Sequence, residues 1–115
     1  MENDTNKTAK VRELNDTFRK NMLNGDLGTL VLSLGVSALD DRDKLVLIGK
    51  VYIFDDFNEG NDPYGEHNFG KIDFKGISYY WKIDYYDKSM EYHSPDKSDP
   101  SVTNRVLTIM QTDEY

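Results

Sequence analysis

The chain of 115 residues contains no cysteine, which excludes disulfides, thiolate metal sites and cysteine nucleophiles. Histidine occurs only at positions 67 and 93, so a three-histidine zinc site is excluded, and a zinc site built on both would need a carboxylate as well. No apolar run approaches the roughly 18 residues of a membrane span. The start, Met1-Glu2-Asn3-Asp4-Thr5, is polar and lacks the charged-then-apolar pattern of a secretion signal. A cytoplasmic protein without membrane contact is therefore expected. Phosphate-cradling glycine loops and a Gly-x-Ser-x-Gly elbow are also missing, which removes sequence support for nucleotide hydrolysis or serine nucleophile chemistry. Positive charge is in deficit: 14 Lys and Arg against 21 Asp and Glu give a net charge of −7. That balance argues against direct nucleic-acid binding. Even the early cluster Lys7, Lys10, Arg12, Arg19 and Lys20 is nearly offset by Glu2, Asp4, Glu13 and Asp16.

What is present reads as an α+β single domain over residues 1–115, with residues 1–7 expected as a flexible tail. Val11, Leu14, Phe18 and Met22 recur at steps of three and four, which predicts a helix over 8–24 stopped by Gly25. Residues 29–34 are short and apolar and predict a buried strand. Asp40 is placed to cap a second helix, with Asp41 and Asp43 in its first turn. The stripe Leu45, Ile48 and Tyr52, widened by Val46, Leu47, Val51 and Phe54, predicts that most of this helix is buried; a strand over 50–54 competes. Gly49 inside the helix costs about 1 kcal/mol relative to alanine, which predicts another element passing close by.

Further on, strands are expected over 67–74 and 77–84, joined by the tight turn Lys75-Gly76, with a third over 90–93. In the second of these, Ile77, Tyr79, Trp81, Ile83 and Tyr85 share one face, and Ser78, Tyr80, Lys82, Asp84 and Tyr86 the other. Asp99-Pro100 reads as a cap and first helical residue, and Val102, Val106 and Ile109, with Leu107 and Met110, predict a closing helix. The architecture expected is a mainly antiparallel sheet, a C-terminal three-stranded meander, with about three helices on one face.

Two regions carry candidate chemistry. The loop 54–67 holds Asp55, Asp56, Glu59, Asp62, Glu66 and His67. Counted as a calcium loop from Asp55 it places Gly60 sixth and Glu66 twelfth, but Phe57 and Pro63 fall on ligand positions. Asp55, Asp62, Glu66 and His67 are the metal alternative, and Glu66 with His67 an acid and base pair. The bland reading is a loop held by its own side-chain hydrogen bonds. The second region is the face of Tyr80, Lys82, Asp84 and Tyr86, which mixes aromatic surface with charge as binding surfaces do; a solvated face is the plain alternative. Packed against this face, the loop residues Asp62, Tyr64, Glu66 and His67 would form one binding pocket with Trp81 as a wall.

The phrases Phe54-x-x-Phe57, Asn61-Asp62-Pro63-Tyr64-Gly65-Glu66-His67-x-Phe69-Gly70, Trp81-Lys82-Ile83-Asp84-Tyr85-Tyr86-Asp87, Ser94-Pro95-Asp96 and Arg105-Val106-Leu107-Thr108-Ile109-Met110 resemble a family of small bacterial proteins catalogued only as a domain of unknown function. With Arg12-Glu13-Leu14-Asn15-Asp16-x-Phe18 the likeness runs from about Val11 to the end; the family usually has Asp where this chain has Asn68. The resemblance implies a stand-alone cytoplasmic protein carried on chromosomes, plasmids or phages, and lends weight to the polar loop as its functional part. It implies no activity. The leading expectation is a small acidic non-enzymatic binding protein, a plasmid- or phage-borne accessory that binds a host protein such as a defence or regulatory complex. The alternative is a small enzyme or a ligand- or metal-binding module using loop 55–67. No cofactor is called for, and a homodimer through an exposed strand edge is open without any residue pattern demanding it.

Overall fold

The strict alternation of Ile77–Tyr86 organises the molecule: Tyr79, Trp81, Ile83 and Tyr85 are buried, and the residues between them are half-exposed. The computed structural model describes residues 4–115 and contains α1 (Asp4–Lys20), β1 (Gly28–Leu32), the single-turn α2 (Leu34–Ser37), α3 (Asp41–Tyr52), β2 (Phe69–Phe74), β3 (Ile77–Tyr86) and β4 (Asn104–Gln111). Single 3₁₀ turns, Pro100–Val102 and Thr112–Glu114, flank the last strand. The four strands form one mixed sheet in the order β1-β4-β3-β2; β1 runs parallel to β4 and the other pairs are antiparallel.

The buried side of β3 and β4 meets Val11 and Phe18 of α1, Val36 of α2, and Leu47 and Val51 of α3. The fold is thus an α+β domain of three helices and a four-stranded sheet. Asp40 caps α3, its carboxylate accepting from the Asp43 amide at 2.8 Å. Lys75 and Gly76 both adopt positive φ, at 52° and 79°, the conformation that a two-residue hairpin turn favours. The Lys75 ammonium reaches back to Asp43 of α3 at 3.0 Å and ties the hairpin to the helix.

Several expectations are corrected. The closing helix is β4: Asp99 does cap Pro100, but only for one 3₁₀ turn, after which Arg105, Leu107 and Ile109 turn inward at a period of two. Residues 102–110 satisfy both periods, and the open edge of β3, pairing Trp81 with Ile109 and Ile83 with Leu107, decides for the strand. The meander's third strand is accordingly β4; residues 90–93 contribute only an isolated bridge from His93 to Tyr86. The strand placed over 67–74 begins at Phe69, because His67 has φ 55° and cannot continue a ladder. The strand over 29–34 is an edge strand that alternates between half-buried and exposed rather than lying buried. α1 ends at Lys20, short of Gly25, although Met22 beyond it is still buried. Residues 4–7 belong to α1, and residues 1–3 of the expected tail lie outside the described residues. In α3, Leu45 and Tyr52 face outward, so the helix is not buried on most sides, and a side chain at Gly49 would meet nothing within 4 Å.

The C-terminal turn locks the corner between β1 and α2. Glu114 Oε1 accepts from Ser33 Oγ at 2.6 Å and from the Gln111 amide at 2.8 Å, while Oε2 accepts from the Gly35 amide at 2.8 Å. The Ser33 hydroxyl, followed by these amides, holds the carboxyl below its ordinary value of 4.5. A carboxyl lowered on folding stabilises the native state above its unfolded pKa and loses that contribution as pH falls through the folded value. Glu114→Gln is expected to be less stable than the native chain at neutral pH and to show a flatter decline below about pH 4.5. Thermal unfolding against pH measures this, and superimposable profiles would refute it.

Candidate functional site

Loop 53–68 is built by its own amides. Asn58 Oδ1 accepts from the amides of Gly60 and Asn61, Asn61 Oδ1 accepts from the Asn58 amide, and Asn61 Nδ2 donates to the Asp56 carbonyl. This cross-bracing brings the chain to Gly65, at φ 71°, and His67, at φ 55°. Two left-handed residues around Glu66 turn Glu66 and His67, neighbours in sequence, into different surroundings.

Glu66 turns to a polar network buried under the sheet. Its Oε1 accepts from the Tyr85 hydroxyl at 2.8 Å, its Oε2 from Lys97 Nζ at 2.6 Å, and its carbonyl from Asn15 Nδ2 at 3.0 Å. The same Asn15 amide donates to the Tyr85 oxygen at 2.8 Å, while Asn15 Oδ1 accepts from Arg105 Nε at 2.8 Å. Arg105 Nη2 closes the circuit on the Lys97 carbonyl at 2.6 Å. Asn15 and Arg105 are fully buried. Burial, and then the neighbouring Glu66 carboxylate, push the Tyr85 phenol far above its usual range. Burial also lowers the pKa of the Arg105 guanidinium, against the opposing pull of Tyr85 and Glu66. The outer rim of this network is a cleft of about 380 Å³ lined by Lys7, Glu66, His93, Ser94, Asp96 and Lys97.

His67 turns the other way. Its Nδ1 faces the Asp16 carboxylate at 2.9 and 3.1 Å and its Nε2 lies 3.7 Å from Asp62, while its ring stacks on Phe57 at 3.8 Å and 4°. Arg19 shares Asp16 at 2.9 Å and donates to the carbonyls of Val51 and Phe54, both at 2.9 Å. A cation there suits the negative end of α3. The guanidinium lies over Phe57 and Trp81, 5.3 and 5.1 Å from the ring centres. A second cleft, about 490 Å³, opens beside Asp16, Arg19, Phe57 and His67.

The structure therefore separates the candidate residues. Glu66 lines the first cleft and His67 the second; Asp62 stands beside His67, and Tyr64 is 79% exposed on the loop's outer side. Asp55 is exposed and lines the second cleft with His67, not the first with Glu66, and among the described residues no group of three or more His, Asp or Glu side chains is arranged to hold a metal ion. Tyr80, Lys82, Asp84 and Tyr86 lie on the opposite face of the sheet from Tyr85 and Trp81, which the loop contacts through Glu66 and Phe57. The single pocket expected between loop and face does not form, because strand alternation puts the sheet itself between them. Trp81, expected as its wall, is fully buried in the core.

Sequence reasoning missed Asn15, Asp16, Lys97 and Arg105. A signal existed for two of them: Asn15 sits in register with Val11 and Phe18 on the inward stripe of α1, and Arg105 leads the alternation Arg105, Leu107, Ile109. A polar side chain on an apolar stripe marks a buried network.

Fold and site together define a small α+β protein whose helices cover one face of a mixed sheet and whose polar loop is anchored in a buried hydrogen-bond network. The chain belongs to a family of proteins of unknown function, DUF3768, whose model matches residues 32–114. That span includes the loop, α2, α3 and strands β2, β3 and β4, takes in only the last residue of β1, and leaves α1 outside. No curated protein and no solved structure matches the chain.

Proposed function

We propose that this is a non-enzymatic binding protein that engages a protein partner through the open face of its sheet. The observation that carries the reading is one-sided coverage: the core contacts of all three helices are to the face of Trp81 and Leu107. The other face presents Tyr80, Lys82, Asp84 and Tyr86 of β3 beside Val106 and Thr108 of β4 and Thr29 and Val31 of β1. Lys82 and Asp84 pair at 3.1 Å, Tyr80 packs on Phe69, with ring centres 5.0 Å apart, and Tyr115 meets Tyr80 edge-on at 5.6 Å. Aromatic and β-branched surface with charges of both signs suits a protein surface of mixed polarity better than a polyanion. The alternative, Glu66 and His67 as an acid and base pair, draws less support, since the two open into different clefts and Glu66 is already engaged by Tyr85 and Lys97.

A photo-crosslinking phenylalanine analogue at Tyr80 or Tyr86 tests the reading in cells. The expected result is one and the same adduct from both positions, lost when Lys82→Glu is added without change in the far-ultraviolet circular dichroism spectrum. No adduct, or an equal one from the analogue at Lys20 on α1, would refute it.

A further inference from the structure

We propose that α3 is the interface of a homodimer in which two copies of the helix cross antiparallel at Gly49. This does not depend on the open sheet face, which lies elsewhere. α3 meets its own core through Leu47 and Val51. Its outward side carries Arg42, Leu45, Val46, Gly49, Tyr52 and Ile53, at steps of three and four, and all are exposed, Leu45 at 64% and Ile53 at 71%. An apolar stripe at helical spacing is a burial signal, and within one chain it is unmet. It continues past the end of α1, where Leu23, Met22, Ile48 and Tyr52 line an apolar cleft of about 320 Å³.

Gly49 gives the second observation. A mid-helix glycine is costly relative to alanine, and apart from its chain neighbours and its own helix backbone nothing in this chain lies within 4 Å of where its side chain would be. The space is open, so nothing inside the chain requires a glycine there. A facing helix does, because the lack of Cβ lets two backbones approach closely.

Charge identifies the occupant as a second copy. Arg42 stands seven residues before Gly49, and Asp55 and Asp56 stand six and seven after it. All three are exposed, and none makes an ion pair among the described residues. A two-fold axis at Gly49 brings the Arg42 end of each helix to the Asp55 and Asp56 end of the other, twice over. A parallel pair would oppose Arg42 to itself. The surface is thus self-complementary in the sense that an isologous interface requires.

Sedimentation velocity over a hundredfold range of concentration tests the proposal on the full chain. The native protein is expected to form a concentration-dependent dimer. Leu45→Glu should be monomeric with an unchanged circular dichroism spectrum, since Leu45 packs little within the chain. Gly49→Leu should also be monomeric, although it raises helix propensity and meets no obstacle in its own chain. Arg42→Asp should weaken association at least tenfold, as should Asp55→Arg with Asp56→Arg, and the chain carrying all three should recover it. A native monomer throughout the range, a dimer that survives Leu45→Glu and Gly49→Leu, or charge reversals without mutual rescue would overturn the proposal. Loss of the dimer on Lys82→Glu instead would move the interface to the open sheet face.

Discussion

Arg105→Ala is expected to cost about 3–5 kcal/mol of folding stability, the cost typical of breaking a buried charged network from one side. Against a total of about 5–15 kcal/mol for a domain, that loss brings unfolding close to ambient conditions. The guanidinium is fully buried and supplies the hydrogen bonds that Asn15 Oδ1 and the Lys97 carbonyl accept. Removing it strands both acceptors and empties the space between β4 and α1. Its Nη1 has no partner, so part of the native arrangement is already costly, and Arg105→Met separates the contributions. Methionine fills the space and relieves the desolvation of a charge but still strands two acceptors, at about 1–3 kcal/mol for an unsatisfied group. A loss near 2 kcal/mol is expected for Arg105→Met. Urea unfolding of both variants measures the difference. An alanine variant within about 1 kcal/mol of the native chain would mean that the network relaxes on its own, contrary to the burial of its members.

Gly70→Ala is expected to lose about 2–3 kcal/mol by overpacking. Gly70 lies opposite Trp81 across the β2–β3 ladder. A methyl group there would collide with Trp81 Nε1 and stand 2.7 Å from Phe54 Cζ. The ring cannot retreat: Phe54 and Phe57 meet it edge-on at 5.4 and 6.1 Å, and Arg19 lies over it. Since Trp81 is the only tryptophan, its fluorescence reports the displacement directly. The variant should show a lower urea midpoint together with a changed emission maximum in the native baseline. Native-like emission with undiminished stability would show that β2 shifts outward at little cost.

How much of the site was legible follows from the range of each interaction. Glu66 and His67 stood out because their loop is short, polar and crowded. Their divergence was not legible, because it depends on a left-handed His67 held by Asp16 of α1, 51 residues away. Asn15 and Arg105 meet across 90 residues, so each polar residue on its apolar stripe signals a buried network without naming its partner. The open sheet face, by contrast, was readable residue by residue, since alternation along a strand is a local property.

Local chemistry alone determined the start of α3 at its Asp40 cap, the Lys75-Gly76 hairpin, and which side of β3 is core. These rest on capping, turn geometry and a two-residue period, all set within a few residues of chain. Only the tertiary structure decided that residues 104–111 form a strand, that Glu66 and His67 part company, and that no element of the same chain covers the outward stripe of α3. Residues 102–110 fit both a helical and a strand period, and an apolar stripe says only that something must cover it. What resolves each case is a surface brought from far along the chain, here the unpaired edge of β3 and the limited area of one sheet face.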